Sequence, residues 1–319
     1  EVSKNKEDVF QKTKILFNEL NCIYKDGSGL FWVGSERGLS FFDPERKGFF
    51  GVGPSVNKKR GLPTPGVWCF EETKEHFFVG TDGAVSMQNK KTGVFRQFYR
   101  GLKTKTTGEK TVLTIKPITE KRILVGCVDG LFELTINPKK YVFKKIETSG
   151  FNRVYSIVHW KQSFFWIATK KGALLFDAKK QKTEAFFHDP KKEKETISKG
   201  VCRLVYKDLG GRIWFTTSTG GLNVLIEKQG KKKIVPYSEN KKIKSVTTRY
   251  ITSINNTKEG VYWFGTFGSG VLKWDEKQKK IKQYRKIDGL PNNVVYGVLT
   301  DKKKNLWFST NKGVCVFNP

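Results

Sequence analysis

The chain runs to 319 residues, with 60 Lys and Arg against 30 Asp and Glu for a formal charge of +30, 13% aromatic residues and 31 glycines. No apolar run approaches the ~18 residues of a membrane-spanning helix, Glu1-Val2-Ser3-Lys4-Asn5-Lys6 has no hydrophobic signal core, and helical heptads are absent. The composition therefore points away from helical and membrane-helix classes, toward a soluble all-β chain of the length that closed β folds often reach.

Along the chain one pattern recurs. An apolar strand is followed by a reversal, an aromatic strand ending in Gly, Ser or Ala before Thr, a strand led by Gly, and a fourth strand rich in Phe or Tyr. The first unit holds Ile23, Trp32, Gly38-Leu39-Ser40-Phe41-Phe42-Asp43-Pro44 and Phe49-Phe50. The second has Val67 to Phe70, Phe77 to Thr81, Gly83 and Val94 to Phe98; the third has Val112 to Ile115, Ile123 to Cys127, Gly130 to Phe132 and Tyr141 to Phe143. In the fourth come Val154 to Ile157, Phe165 to Thr169, Gly172 to Asp177 and Ala185 to Phe187. The fifth is the clearest: Val201 to Val205, then Asp208-Leu209-Gly210-Gly211-Arg212-Ile213-Trp214-Phe215-Thr216-Thr217, Gly221-Leu222, and Ile234 to Tyr237. The sixth has Ile251 to Ile254, Tyr262 to Thr266, Gly270 to Asp275 and Ile281 to Tyr284, and the seventh Val294 to Leu299, Leu306 to Thr310 and Gly313 to Phe317.

The seventh unit lacks a fourth strand, while Glu7 to Thr13 resembles the fourth strand of the second unit, Thr92 to Gln97. An N-terminal strand that completes the last sheet closes a ring. The expected fold is all-β: a seven-bladed β-propeller of four-stranded antiparallel blades, its N-terminal strand closing the last. The expected domain is single, over 1–319, with blades near 14–55, 61–100, 108–147, 151–190, 197–240, 246–286 and 290–319 plus 7–13. The recurring Trp32, Trp166, Trp214, Trp263 and Trp307 read as packing residues.

Asp208-x-x-Gly211-x-Ile213-Trp214-x-x-Thr217, Asp26-x-x-Gly29-x-Phe31-Trp32 with Gly38 to Pro44, and Leu290-Pro291-Asn292-Asn293-Val294-Val295-Tyr296 before Asp301 resemble the two-component-regulator propeller repeat. Units two and three depart from it, with Phe78 and Leu124 in place of Trp. The resemblance implies the periplasmic sensor region of a hybrid histidine kinase of the kind typical of Bacteroidetes, where two propellers precede a β-sandwich and a membrane span. It also implies a carbohydrate-like ligand, adjacent sensor domains of the same receptor as partners, and a homodimer in the full-length receptor. Any kinase lies outside this chain.

Chemistry-bearing residues are few. His76, His159 and His188 show no triad or metal-ligand spacing, so no catalytic residue, metal or cofactor is expected and the chain reads as a non-enzyme. Propeller lyases acting on streptogramins use a similar repeat and need a histidine and magnesium near the axis; none of these three falls at an axial strand start. The five cysteines never form C-x-x-C and read as small packing residues. Lysine pairs scattered through turns give a diffuse field, so a nucleic-acid groove is not expected. Binding residues are sought where first strands start: Asn18, Pro65, Lys110, Asn152, Gly200, Arg249 and Asn293, with Arg153 and Lys199 beside them. One position further in stand Asn21, Trp68, Tyr155, Arg203, Thr252 and Tyr296. Such a ring offers donors and aromatic faces to sugar hydroxyls, carboxylate or sulfate, with Arg203 singled out as a buried guanidinium in want of an anion. The competing readings are loop solvation, core packing, and a protein-interaction scaffold.

Overall fold

The computed structural model describes residues 10–12, 20–43, 48–52, 61–99, 110–219, 221–237, 250–301 and 303–319. Within them, consecutive strands pair into seven four-stranded antiparallel sheets. The first strands are Leu20–Lys25, Val67–Glu72, Val112–Thr119, Val154–Lys161, Cys202–Lys207, Ile251–Lys258 and Val295–Thr300. Each touches the first strand of the sheet before and the sheet after, and the last touches the first. They form the inner wall of a closed ring, which makes the chain a seven-bladed β-propeller.

Blade seven is assembled as the sequence suggests. Val295–Thr300, Leu306–Thr310 and Gly313–Phe317 are completed by Phe10–Lys12, antiparallel to the third strand with Phe10 opposite Phe317. Packing closes at the same place: Phe31 and Val33 of blade one share a core cluster with Trp307 and Val314 of blade seven.

The repeat signature is a hydrogen-bond device. Asp208 Oδ1 accepts the backbone N–H of Arg212 at 2.8 Å and closes the turn, while Oδ2 accepts the indole N–H of Trp214 at 2.9 Å. Asp26 holds Leu30 N at 3.0 Å and Trp32 Nε1 at 2.8 Å; Asp301 holds Asn305 N at 2.8 Å and Trp307 Nε1 at 3.0 Å. Six residues of separation carry one carboxylate from the turn to the second strand. In blades four and six that position is Trp160 and Thr257, and the buried indole N–H groups of Trp166 and Trp263 have no acceptor.

The Thr-x-x-Gly reversal has an equally local cause. Thr169 Oγ1 donates to the carbonyl of Gly172 at 2.8 Å and Thr310 Oγ1 to that of Gly313 at 2.9 Å. Gly172 sits at φ 149°, where a Cβ would lie 2.3 Å from the carbonyl oxygen of Phe186. Trp166, Trp214 and Trp263 are at most 1% exposed, and each large side chain so buried contributes about 2–3 kcal/mol on area alone. The five cysteines are free, and burial pushes the thiols of Cys202 and Cys315 up to about 12, which leaves them unreactive.

Blades five and six are locked by a second shared network. Arg212 donates to both oxygens of Glu276, at 2.8 and 2.7 Å, and to Asp208 at 3.0 Å; Tyr237 donates to Glu276 at 2.9 Å. Burial opposes ionisation of Asp208, but hydrogen bonds from Trp214, Tyr262 and Arg212 outweigh it and hold the carboxyl below its ordinary value; Glu276 is lowered chiefly by Arg212. Depressed carboxyls stabilise the fold above their unfolded values and lose that contribution as pH falls through the folded ones. The thermal midpoint is therefore expected to drop once pH goes below about 4, and an Asp208→Asn variant should lose part of this acid dependence in a pH series of melting curves.

Candidate functional site

The same irregularity opens every blade. Between the first two residues of the inner strand the pairing register skips one position: Asn21, Trp68, Leu113, Tyr155, Arg203, Thr252 and Tyr296. The residue before it is always buried, as Val67, Val154, Cys202 and Val295 are, while the skipped residue is half-buried. A bulge of this kind re-aims a side chain out of the pairing pattern. Six of these seven residues were singled out by aligning the repeats; Leu113 completes the set.

Three of the sequence candidates come together on blades four to six. The guanidinium carbon of Arg203 lies 4.3 Å from the ring centroid of Tyr155 and 5.8 Å from that of Tyr250. Arg153, at φ 54°, places its own guanidinium 5.8 Å from the ring centroid of Tyr155. Tyr250 in turn lies 5.6 Å from Phe267, which is 54% exposed. Arg203 is half-buried rather than buried as the sequence suggested, because its stem leaves the strand at the bulge; its Nε is nonetheless enclosed without a hydrogen-bond partner. The two nearby aromatic rings contribute about 0.5–2 kcal/mol each, yet they satisfy none of the guanidinium's donors. The arrangement is an aromatic platform carrying a cation with unused hydrogen bonds.

The remaining candidates are distributed differently. Trp68 Nε1 donates to Asp82 at 2.8 Å, and Tyr296 hydroxyl to Asn311 at 2.6 Å, so each polar tip is engaged within its own blade. Asn293 is a loop brace: its side-chain oxygen accepts Lys286 N at 2.8 Å and its carbonyl accepts Gly270 N at 2.8 Å. Asn152 and Lys199 are exposed, Lys110 is half-buried, and Asn18 and Arg249 lie outside the described residues. Asn21 and Thr252 donate to the Val67 and Val295 carbonyls of the adjoining blades and stitch the inner wall. Tyr250 and Phe267 escaped the sequence reading because both stand outside the strand positions that the repeat fixes.

None of the three histidines is a bulge residue. His159 Nε2 lies 2.8 Å from the Gln162 carbonyl and His188 Nδ1 3.1 Å from that of Ile197. His76 is 3.2 Å from Glu120, and with Glu75 these place three ligand atoms within 4.8 Å, a grouping that sequence spacing did not reveal. Glu120 already accepts the Thr73 hydroxyl at 2.5 Å and Lys74 N at 3.1 Å, so the cluster ties the turn of blade two to blade three.

Comparison with known proteins agrees with the fold. Residues 289–312 match the model of the family described as two component regulator propeller. The chain carries that repeat. Its fold is similar to the extracellular domains of two hybrid two component systems of B. thetaiotaomicron. BT3049 matches at TM-score 0.74, 17% identity and 97% of this chain, and BT4673 at TM-score 0.71, 17% identity and 96%. The chain spans only 41% and 39% of those two chains. A streptogramin B lyase is similar at TM-score 0.71 and 13% identity, covering 98% of this chain and 97% of its own. At such identities the likeness is one of fold. No curated protein matches the chain in sequence. Among the described residues, no helix is long and apolar enough to cross a membrane.

Proposed function

We propose that this chain acts as one propeller domain over residues 1–319, the extracytoplasmic, periplasmic ligand-sensing part of a hybrid two-component system. Its ligand is carbohydrate-like and carries a carboxylate or sulfate. The signal passes to a kinase outside the chain by rearrangement against adjacent sensor domains or a homodimer partner. The observation that carries this reading is the Arg203 guanidinium, 4.3 Å from the ring centroid of Tyr155 and 5.8 Å from that of Tyr250, with its Nε unpartnered. Tyr and Phe faces suit the apolar faces of sugar rings, and an unused guanidinium suits an acidic substituent.

The test is a thermal-shift screen against neutral and acidic oligosaccharides, with nucleic acid as a control. A ligand present at 100 times its Kd adds about 2.7 kcal/mol, a shift of several degrees. A shift with one class of acidic glycan that survives moderate salt is expected. Absence of any shift with sugars, while a partner domain binds them, would make this propeller a scaffold rather than the ligand-binding element.

A further inference from the structure

Among the described residues one grouping of three metal-ligand side chains stands together: Glu75, His76 and Glu120, whose ligand atoms all lie within 4.8 Å of one another. Two neighbouring turns supply it. In blade two, Thr73 N donates to the His76 carbonyl at 2.9 Å and His76 N to Thr73 Oγ1 at 3.1 Å; in blade three, Thr119 Oγ1 accepts Arg122 N at 3.1 Å. Both turns follow the first strands, at the end opposite the bulge residues, so the grouping is separate from the Arg203 platform.

Its charge is the first sign of a missing cation. The chain has 60 Lys and Arg for 30 Asp and Glu, and the nearby Glu71 and Glu72 are paired with Lys116, at 2.6 Å, and Lys90. Glu75 and Glu120 bring two carboxylates together, yet among the described residues neither has a Lys or Arg side chain in ion-pair reach. Like charges this close repel unless a cation lies between them. The second sign is a distance. His76 Nδ1 stands 3.2 Å from Glu120 Oε2, and two ligands of a tetrahedral zinc ion stand about 3.3 Å apart at the usual bond lengths. That edge of a zinc site is already at its bound length. Glu120 accepts the Thr73 hydroxyl at Oε2 and Lys74 N at Oε1, which orients the carboxylate and leaves lone pairs for an ion. Glu75 is exposed, so its side chain can swing to close the third edge.

We propose that Glu75, His76 and Glu120 bind a transition-metal dication of the zinc type, with water as the fourth ligand. His76 ligates through Nδ1 as the neutral imidazole, its proton carried on Nε2. One nitrogen and two carboxylate ligands favour zinc over magnesium and calcium, which take oxygen ligands. The ion spans blades two and three. In these blades Phe78 and Leu124 replace the repeat's tryptophan, so the carboxylate–indole link seen in blades one, five and seven is absent, and the metal supplies a link between the two turns.

Calorimetric titration of the metal-stripped intact chain with zinc, and separately with calcium and magnesium, tests it. One equivalent of zinc should bind and raise the melting temperature, with calcium and magnesium much weaker. Cobalt should give a saturable visible absorption band that zinc abolishes. Glu75→Gln removes an exposed side chain and should fold. Loss of a partner behind a metal ligand already costs about 10–100-fold in affinity, so loss of this ligand should weaken zinc at least tenfold and remove the thermal shift. His76→Gln should do the same, whereas His159→Gln and Glu193→Gln, at exposed positions elsewhere, should bind zinc as the intact chain does. No saturable zinc binding to the intact chain, calcium binding as tight as zinc, or unchanged zinc affinity in Glu75→Gln and His76→Gln would overturn the proposal.

Discussion

Replacing Asp208 by alanine is expected to lower stability by about 3–5 kcal/mol, a fall in melting temperature on the order of 10 °C. The side chain is 1% exposed and accepts four hydrogen bonds: from Arg212 N, Arg212 Nε, Trp214 Nε1 and the Tyr262 hydroxyl. Arg212 keeps Glu276 when the carboxylate goes. The Trp214 indole and the Tyr262 hydroxyl do not keep a partner of that quality, and both are buried where water cannot replace it. Asp208→Asn retains an acceptor and should cost less than half as much. A melt in which Asp208→Ala matches the intact chain would show that the turn, not the carboxylate, holds the blade.

The second large effect is expected from Gly270→Ala. Gly270 adopts φ 75°, and a Cβ there would stand 2.1 Å from the carbonyl oxygen of Tyr284 on the neighbouring strand. The atoms met are backbone, at Tyr284 and Arg285, and no side-chain motion can relieve the clash, so about 3 kcal/mol is expected. Gly93 is the control: it adopts φ 70° but a Cβ would meet nothing within 4 Å, so Gly93→Ala should cost only its left-handed strain, about 1 kcal/mol. Equal losses at both positions, read from denaturant titrations, would remove the clash as the cause.

These two residues also show why the fold was legible before any coordinates. Asp208 and Gly270 occupy repeat positions where the need is local, a turn to close and a positive φ to accommodate, and local needs write themselves into spacing. The N-terminal strand was legible for a related reason, since a sheet short of one strand implies a donor elsewhere in the chain. The site was harder to read. Repeat alignment located the bulge residues Asn21, Trp68, Tyr155, Arg203, Thr252 and Tyr296, but could not tell which polar tips would be taken up by neighbours. Asp82 and Asn311, which engage Trp68 and Tyr296, come from the turns that follow the second strands. Tyr250 and Phe267, which complete the platform around Arg203, lie outside the repeated strands altogether.

The account turns on the platform of Arg153, Tyr155, Arg203, Tyr250 and Phe267. The measurement closest to it is a calorimetric titration of the intact propeller, Arg203→Met and Phe267→Ala with an acidic oligosaccharide and its neutral counterpart. Loss of a charge-assisted hydrogen-bond partner corresponds to about a tenfold to hundredfold loss of affinity. Arg203→Met should show that loss for the acidic sugar and little for the neutral one, while Phe267→Ala weakens both and leaves the melting temperature nearly unchanged. Affinities that are the same in all three proteins would contradict the assignment of this platform as the place where the ligand is read.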